Sequence, residues 1–284
     1  MAGLLNAVVT KTLETALTVQ RSVPMSQIRP FAASFLSLLA LATPISALSQ
    51  SAPANRTPVL VELFTSEGCS SCPPADALLA MLDHDQPIQL AEIIVLGEHV
   101  DDWDNLGWHD RFSSHQYTER QSQYSARLGV DGVYTPQMIV DGTDQFVGND
   151  SSHARRSITS AAQKIKLSLS LSHPVVDDRK ISASVSLPVS SASTLHGELY
   201  AALVDSTDTT DVRNGENGGR RLQHVGVVRN LQRIGSLKDL GAGPLNFSLN
   251  APDDAKLAEM RVVVFAQQRD QGGVLGAVVT NVKP

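Results

Sequence analysis

Apolar and polar residues follow two different rhythms along this chain, and the change falls near residue 165. Pro58–Phe64 is a β-rich apolar run broken by one acid, Glu62, the pattern of a buried central strand. Pro73–Leu82 has apolar residues at helical spacing, and its two prolines fit a first turn, where N–H groups lack partners anyway. Ile88–Leu96 predicts a second strand, which a right-handed crossover makes parallel to the first. Ser114–Leu128 predicts a polar helix closed by Gly129. Gln137–Val140 and Gln145–Gly148 flank Asp141-Gly142, the signature of a hairpin, and Ser151–Lys164 predicts a last helix.

Beyond residue 165 the period becomes two. Leu167, Leu169 and Leu171 alternate with serines, as do Ile181, Ala183, Val185, Leu187 and Val189. Further strands are expected at Leu195–Val204, His224–Ile234, Leu245–Leu249, Arg261–Gln267 and Val274–Val282. Short strands at this density suggest an antiparallel sandwich. The Ser/Thr/Asp/Gly-rich stretch Asp205–Gly219 reads as a long loop between two of them.

The start of the chain reads as an address. Arg29 precedes the apolar run Phe31–Ala42, Pro44 follows it, and Ile45-Ser46-Ala47 offers a small residue for cleavage. Twelve residues are too few for a membrane span, which needs about 20. Residues 1–47 are therefore expected to be a secretory signal peptide with Met25 as its conventional start, followed by a lead-in over 48–57. No stable membrane span remains after cleavage, and the product is periplasmic or secreted. The full chain of 284 residues carries a net charge of −6, and loss of residues 1–47 makes it −8. That balance excludes an electrostatic case for nucleic acid binding.

Only two cysteines are present, Cys69 and Cys72. They lie after a predicted buried strand and at the mouth of a predicted helix, whose free N–H groups favour thiolate over thiol. Reversible redox use, a permanent disulfide and metal binding are the three readings. A four-residue ring stabilises by only about 2 kcal/mol, against about 3 for fifteen residues, and is a poor staple. Two cysteines alone do not fill a tetrahedral metal site. Tyr134-Thr135-Pro136 stands directly before the Gln137–Val140 strand, where a proline costs no ladder bond and a cis Thr135–Pro136 bond is expected. In this strand order, the Cys-x-x-Cys and the proline read as an α/β thioredoxin-like domain over 58–165, followed by an antiparallel β-sandwich-like domain over 166–284.

Val61-Glu-Leu-Phe-Thr-Ser-Glu-Gly-Cys-Ser-Ser-Cys-Pro-Pro-Ala-Asp76 closely resembles the secreted thioredoxin-like family catalogued as domain of unknown function 1223. The resemblance continues through His99–Trp108, Tyr134–Met138, Gly215-Glu-Asn217 and Gln268–Ala277. It implies export from bacterial cells and a thioredoxin-like domain joined to a β-rich one, without supplying a reaction. Gly226 departs from the asparagine expected there, and Gly68 stands where a thioredoxin carries tryptophan.

Other candidate residues each carry a bland alternative. Glu62 is either a buried acid moving protons for the resolving cysteine or a hydrogen-bonded strand acid. His99, Trp103 and Trp108 belong to a segment dense in ligands and aromatics, read as substrate surface beside the thiols, as a loop over core tryptophans, or as metal-binding. Glu216, Asn217 and Arg220 are either an exposed turn or an interdomain or ligand contact. The leading expectation is a thiol–disulfide oxidoreductase without a cofactor, acting on a protein or small thiol or disulfide. Cys69, as the more exposed sulfur, attacks; Cys72 resolves; Pro136 and Thr135 border them. The rivals are an envelope copper carrier using both thiolates and His99, and a non-catalytic interaction module.

Overall fold

In the computed structural model, residues 56–188 and 196–283 are described. The expected signal peptide lies outside them. Among the described residues twelve strands and three α-helices follow in the order β1 (Thr57–Thr65), α1 (Pro73–Asp85), β2 (Ala91–His99), α2 (His115–Leu128), β3 (Gln137–Val140), β4 (Asp144–Val147), α3 (Ser151–Ala161), β5 (Ser170–Leu171), β6 (Val175–Asp177), β7 (Lys180–Ser186), β8 (Glu198–Asp211), β9 (Arg221–Ser236), β10 (Leu245–Asn250), β11 (Met260–Gln267) and β12 (Val274–Asn281). Among the described residues no helix is long and apolar enough to cross a membrane.

Local chemistry explains the helices. In α1, Ala75, Leu78, Leu79 and Leu82 recur on one face and are buried, and Gln86 ends the helix in the left-handed region. Ser114 Oγ caps α2 by accepting from Gln116 N at 3.3 Å, and Gly129 closes it at φ 67°. Asp150 caps α3 through His153 N at 2.9 Å.

A large mixed α/β sheet is ordered β12-β11-β8-β9-β2-β1-β3-β4, and a smaller sheet is ordered β10-β7-β5 with β6 also on β7. β2 lies parallel to β1, and β3 is antiparallel to β1 on its other side. Val59, Val61 and Leu63 pack with α1 and α3 on one face of the large sheet. Leu60, Phe64, Ile94 and Leu96 pack on the other with Tyr117 and Tyr124 of α2 and with Val263, Phe265, Val274 and Ala277. Ile181 and Val185 of the small sheet cover Leu199, Ala201, Leu203, Val262 and Val264.

The stretch 205–219 is loop only in its second half. β8 continues to Asp211 and β9 begins at Arg221, with Thr207, Thr209 and Thr210 opposite Val225, Gln223 and Leu222. Its polar composition imitates a loop, but the β-branched threonines suit a strand once a partner lies alongside. The result is a long hairpin arm whose turn occupies only 212–220.

One join connects the arm to the first strands. β9 runs parallel beside β2, with Gly97 opposite Val227. A Cβ on Gly97 would meet Val225 O at 3.1 Å, and one on Gly226 would meet Val95 O at 2.8 Å. Gly226 also has φ 58°, a region that glycine and asparagine enter most readily. Both glycines let backbone approach backbone. Gly226→Ala is expected to lower stability by about 1–2 kcal/mol from the left-handed conformation alone, and by more with the contact to Val95. Urea unfolding measures it; a loss below a few tenths of a kcal/mol contradicts the account.

Candidate functional site

At the C-terminal end of β1, Ser66–Cys72 turns into α1. Cys69 N donates to Ser66 O and Cys72 N to Cys69 O, each at 3.2 Å, and Asp76 N returns to Cys72 O at 3.1 Å. These bonds set Cys72 at the helix N-cap. Cys69 and Cys72 are joined as a disulfide. Ser70 and Ser71 are exposed, yet both cysteines are 0% exposed. The expectation that Cys69 is the more exposed sulfur is therefore wrong: segments distant in sequence cover it.

The first of these is the Tyr134–Pro136 segment. Its Thr135–Pro136 bond is cis, and Thr135 O lies 4.0 Å from Cys69 Sγ and 3.5 Å from Ser71 Oγ. The second is the segment after β2. Trp103 Nε1 donates to Thr135 Oγ1 at 2.9 Å, and Trp103 Cβ would lie only 2.9 Å from a Cβ on residue 68. Gly68 thus makes room for Trp103, and a larger residue there would displace it. Trp108 reaches elsewhere, donating through Nε1 to Glu67 Oε2 at 2.8 Å. The third is the β8–β9 turn: Asn217 Nδ2 donates to Glu67 O and Cys69 O, both at 2.9 Å, and Glu216 Oε2 accepts from Ser70 N at 3.0 Å.

Glu62 is not on this side. It lies on the α2 face of β1, where Arg120 Nε donates to Glu62 Oε1 at 2.8 Å and Tyr124 OH to Glu62 Oε2 at 2.6 Å. Gln267 Nε2 donates to Tyr124 OH at 2.7 Å, extending the network to β11. Glu98 stands 3.4 Å from Arg120 Nε. Burial raises its carboxyl well above the usual range, against the pull of Arg120 and with the repulsion of Glu62. A single guanidinium thus serves two buried acids, Glu62 as a full partner and Glu98 at the margin. This network joins β1, β2, α2 and β11, and its contacts do not include the thiol loop.

The buried ionisable groups beside the thiol loop are different ones. Glu67 N donates to Asp110 Oδ2 at 2.8 Å, and His99 Nδ1 pairs with the same oxygen at 2.7 Å. His99 packs edge-on against Phe112 and against His224, whose ring centroid is 4.8 Å away. His224, from β9, faces Glu67 Oε1 at 3.5 Å and Asp76 Oδ1 at 3.9 Å. Thr65 Oγ1 donates to Asp76 Oδ1 at 3.0 Å. Asp76 follows Cys72 by one helical turn. His99 is thus engaged by Asp110 rather than by the cysteines. Among the described residues no group of three or more His, Cys, Asp or Glu side chains is disposed to hold a metal ion.

Glu67 and Asp76 lie inside the stretch that carries the family resemblance and Asp110 in the ligand-dense segment that begins at His99, but nothing local assigns them a role, and His224 escapes a reading by motif altogether. The detectable signal is a histidine in the apolar strand His224–Val228; its partners lie far away in sequence.

Two groups here shift strongly. Burial opposes charge on Asp110, but the His99 imidazole and the N–H groups of Glu67 and Phe112 outweigh it and bring its carboxyl to about 2. Burial likewise disfavours the His224 cation, but Asp76 and Glu67 raise it to about 10 from 6.5. A raised folded-state value stabilises fully below the unfolded value and is lost as pH climbs through the folded one. Stability of the oxidised protein should therefore fall between pH 6.5 and about 10. Denaturation across that window should show a slope that His224→Gln flattens; an unchanged slope in the variant removes His224 as its source.

No curated protein matches this chain. Among solved structures, a crystal structure of a protein from Agrobacterium tumefaciens is similar at 26% identity and a TM-score of 0.61, covering 81% of this chain and 96% of that one. A domain of the outer membrane lipoprotein Omp28 from Porphyromonas gingivalis is similar at 14% identity and a TM-score of 0.26, covering 42% of this chain and 89% of that one. The family model described as "Protein of unknown function (DUF1223)" matches residues 60–267. With its Cys69–Cys72 bridge and the surrounding segments inside those bounds, the chain belongs to that family.

Proposed function

We propose that this chain is an exported thiol–disulfide oxidoreductase, with a thioredoxin-like part over 58–165 and a β-rich part over 166–284. The observation that carries the reading is the Cys69–Cys72 bridge at the start of α1, facing the carbonyl of Thr135 before Pro136. The parallel β1–α1–β2 unit, followed by the β3–β4 hairpin antiparallel to β1 and by α3, supports the thioredoxin-like assignment. The leader-like sequence of residues 1–47 supports export to the periplasm or beyond.

In the reduced protein the N-terminus of α1 favours thiolate. Cys69 lies between the exposed serines and Thr135 and is the attacking group. Its thiolate attacks one sulfur of a partner disulfide, whose other sulfur leaves as thiolate. Cys72, once deprotonated, then attacks Cys69, restoring the intramolecular bridge and releasing the second partner thiolate. The partner gains two electrons, and its thiolates take protons from solvent. Pro136, Thr135 and Trp103 wall the site. Proton handling falls to the groups beside α1 rather than to Glu62, whose contacts are with Arg120 and Tyr124.

Equilibration of the purified protein with glutathione buffers, read by alkylation and mass, tests the reading. A potential above about −300 mV is expected, outside the range of structural bridges. Cys72→Ser should trap mixed disulfides through Cys69. A potential below about −300 mV, with no trapped species, makes the bridge structural and the protein an interaction module.

A further inference from the structure

The proposed reaction needs access to a sulfur, and both cysteines are completely buried. Their neighbours Ser70 and Ser71 are exposed, so the loop itself reaches the surface. Part of the cover is the turn of the β8–β9 arm. That turn is closed on itself: Val212 N donates to Arg220 O at 2.9 Å, and Gly219 N to Val212 O at 2.8 Å. Within it, Asn217 is 0% exposed although the residues on both sides of it are exposed. Its amide nitrogen serves the carbonyls of Glu67 and Cys69, and its oxygen accepts from Arg220 Nη1 at 2.9 Å. Glu216 adds a charged acceptor for Ser70 N. That bond holds its carboxyl below the usual range. A Cβ on Gly215 would meet Trp108 Cβ at 3.0 Å, so the turn also fits closely against the segment after β2.

We propose that this turn, Val212–Arg220, is a latch over the Cys69–Cys72 pair, held shut by Asn217 and Glu216 and displaced by an extended polypeptide partner. The proposal rests on the redox reading and adds its control of access. Three backbone groups of the thiol loop are engaged by the latch: one N–H, on Ser70, and two carbonyls, on Glu67 and Cys69. Lifting the turn frees all three. An extended polypeptide presents backbone acceptors and donors in alternation and can take over such groups. A small thiol offers no such series, so it reaches the bridge only when the turn opens by itself. The preferred substrate class is then a cysteine-containing polypeptide rather than a low-molecular-weight thiol.

The test follows reduction of the oxidised full chain by dithiothreitol and, separately, by an unstructured peptide carrying two thiols. In either case a reagent thiolate attacks one sulfur of the bridge and the other sulfur leaves as thiolate. The second reagent thiol then closes the reagent's own disulfide, so two electrons pass to the protein and the reagent's protons end on the two cysteines or in solvent. Asn217→Ala removes the two hydrogen bonds to the thiol loop, together with the one from Arg220, and should accelerate reduction by dithiothreitol about tenfold or more. Glu216→Gln, at an exposed position where folding is not at stake, should accelerate it a few-fold. Both should raise the hydrogen exchange rate of the Ser70 amide, and both should narrow the wild-type preference for the peptide. If both variants fold and reduce at the wild-type rate with unchanged exchange, the latch is overturned. If they accelerate both reagents equally, the polypeptide preference is overturned. The equilibrium potential of the same samples judges the redox reading separately: a bridge that resists reduction in every variant defeats that reading, whereas a wild type that reduces as fast as its variants defeats only the latch.

Discussion

The close approach of β9 to β2 sets the geometry of the candidate site. Two parallel strands are joined there over a short register, with Gly97 opposite Val227, and side chains on Gly97 or Gly226 would push the backbones apart. Because β8 and β9 are long and antiparallel, fixing β9 at this point also fixes the far end of the arm. His224, two residues before Gly226, is thereby set against Glu67 and Asp76. The turn carrying Glu216 and Asn217 is brought to the thiol loop. A half-ångström change at the join would be felt at both places, since a packed interior transmits displacement rather than absorbing it.

What could be read from the sequence was local. β1, α1, the β3–β4 hairpin and the cap of α2 follow from apolar period, proline placement, Asp141-Gly142 and Ser114, each acting within a few residues. The cysteine pair and Pro136 were legible for the same reason. The arm was not. Ser206, Thr207, Asp208, Thr209 and Thr210 have the composition of a loop, and only pairing with β9 makes them a strand. Glu62 was legible as a buried acid, but its role depended on Arg120, 58 residues away, on the face opposite α1. Cys69 shows the limit most plainly. Its position by a helix end favours exposure, and its cover comes from Thr135, 66 residues away, and Asn217, 148 residues away. For Glu216 and Asn217 an exposed turn and a contact were both open readings. Asn217 is buried against the thiol loop, whereas Glu216 is exposed and still makes a contact, to Ser70 N.

The two buried polar networks divide the labour between the faces of the large sheet. On the α2 face, Glu62, Arg120, Tyr124 and Gln267 tie β1, α2 and β11. On the side of the thiol loop, Glu67, Asp76, His99, Asp110 and His224 tie the segments after β1 and β2 to β9. Taking such groups from water is costly, and apolar side chains of the same volume often serve stability as well or better. Apolar contacts, however, are non-directional. A valine in place of His224 would tolerate a small slide of β9 along β2, whereas an imidazole between two carboxylates favours one register.

That directional preference matters most where the hydrophobic pattern is weakest. The outer part of the arm, from Ser206 to Asp211, contributes little apolar area, with Thr207 and Thr209 exposed and Thr210 buried. Its turn must nevertheless meet the thiol loop closely enough for one amide to reach two carbonyls. A polar arm of this kind gains little from burial, so its position depends on where its base is held and on what its tip can bond. The base is held at Gly226 and His224, and the tip is bonded at Asn217 and Glu216. Between these two anchorages lies a ribbon with few apolar contacts of its own. Such a segment opens at lower free energy than the core around it. Opening at the tip therefore need not disturb the large sheet, since the groups that fix the base are buried with β2 and α1.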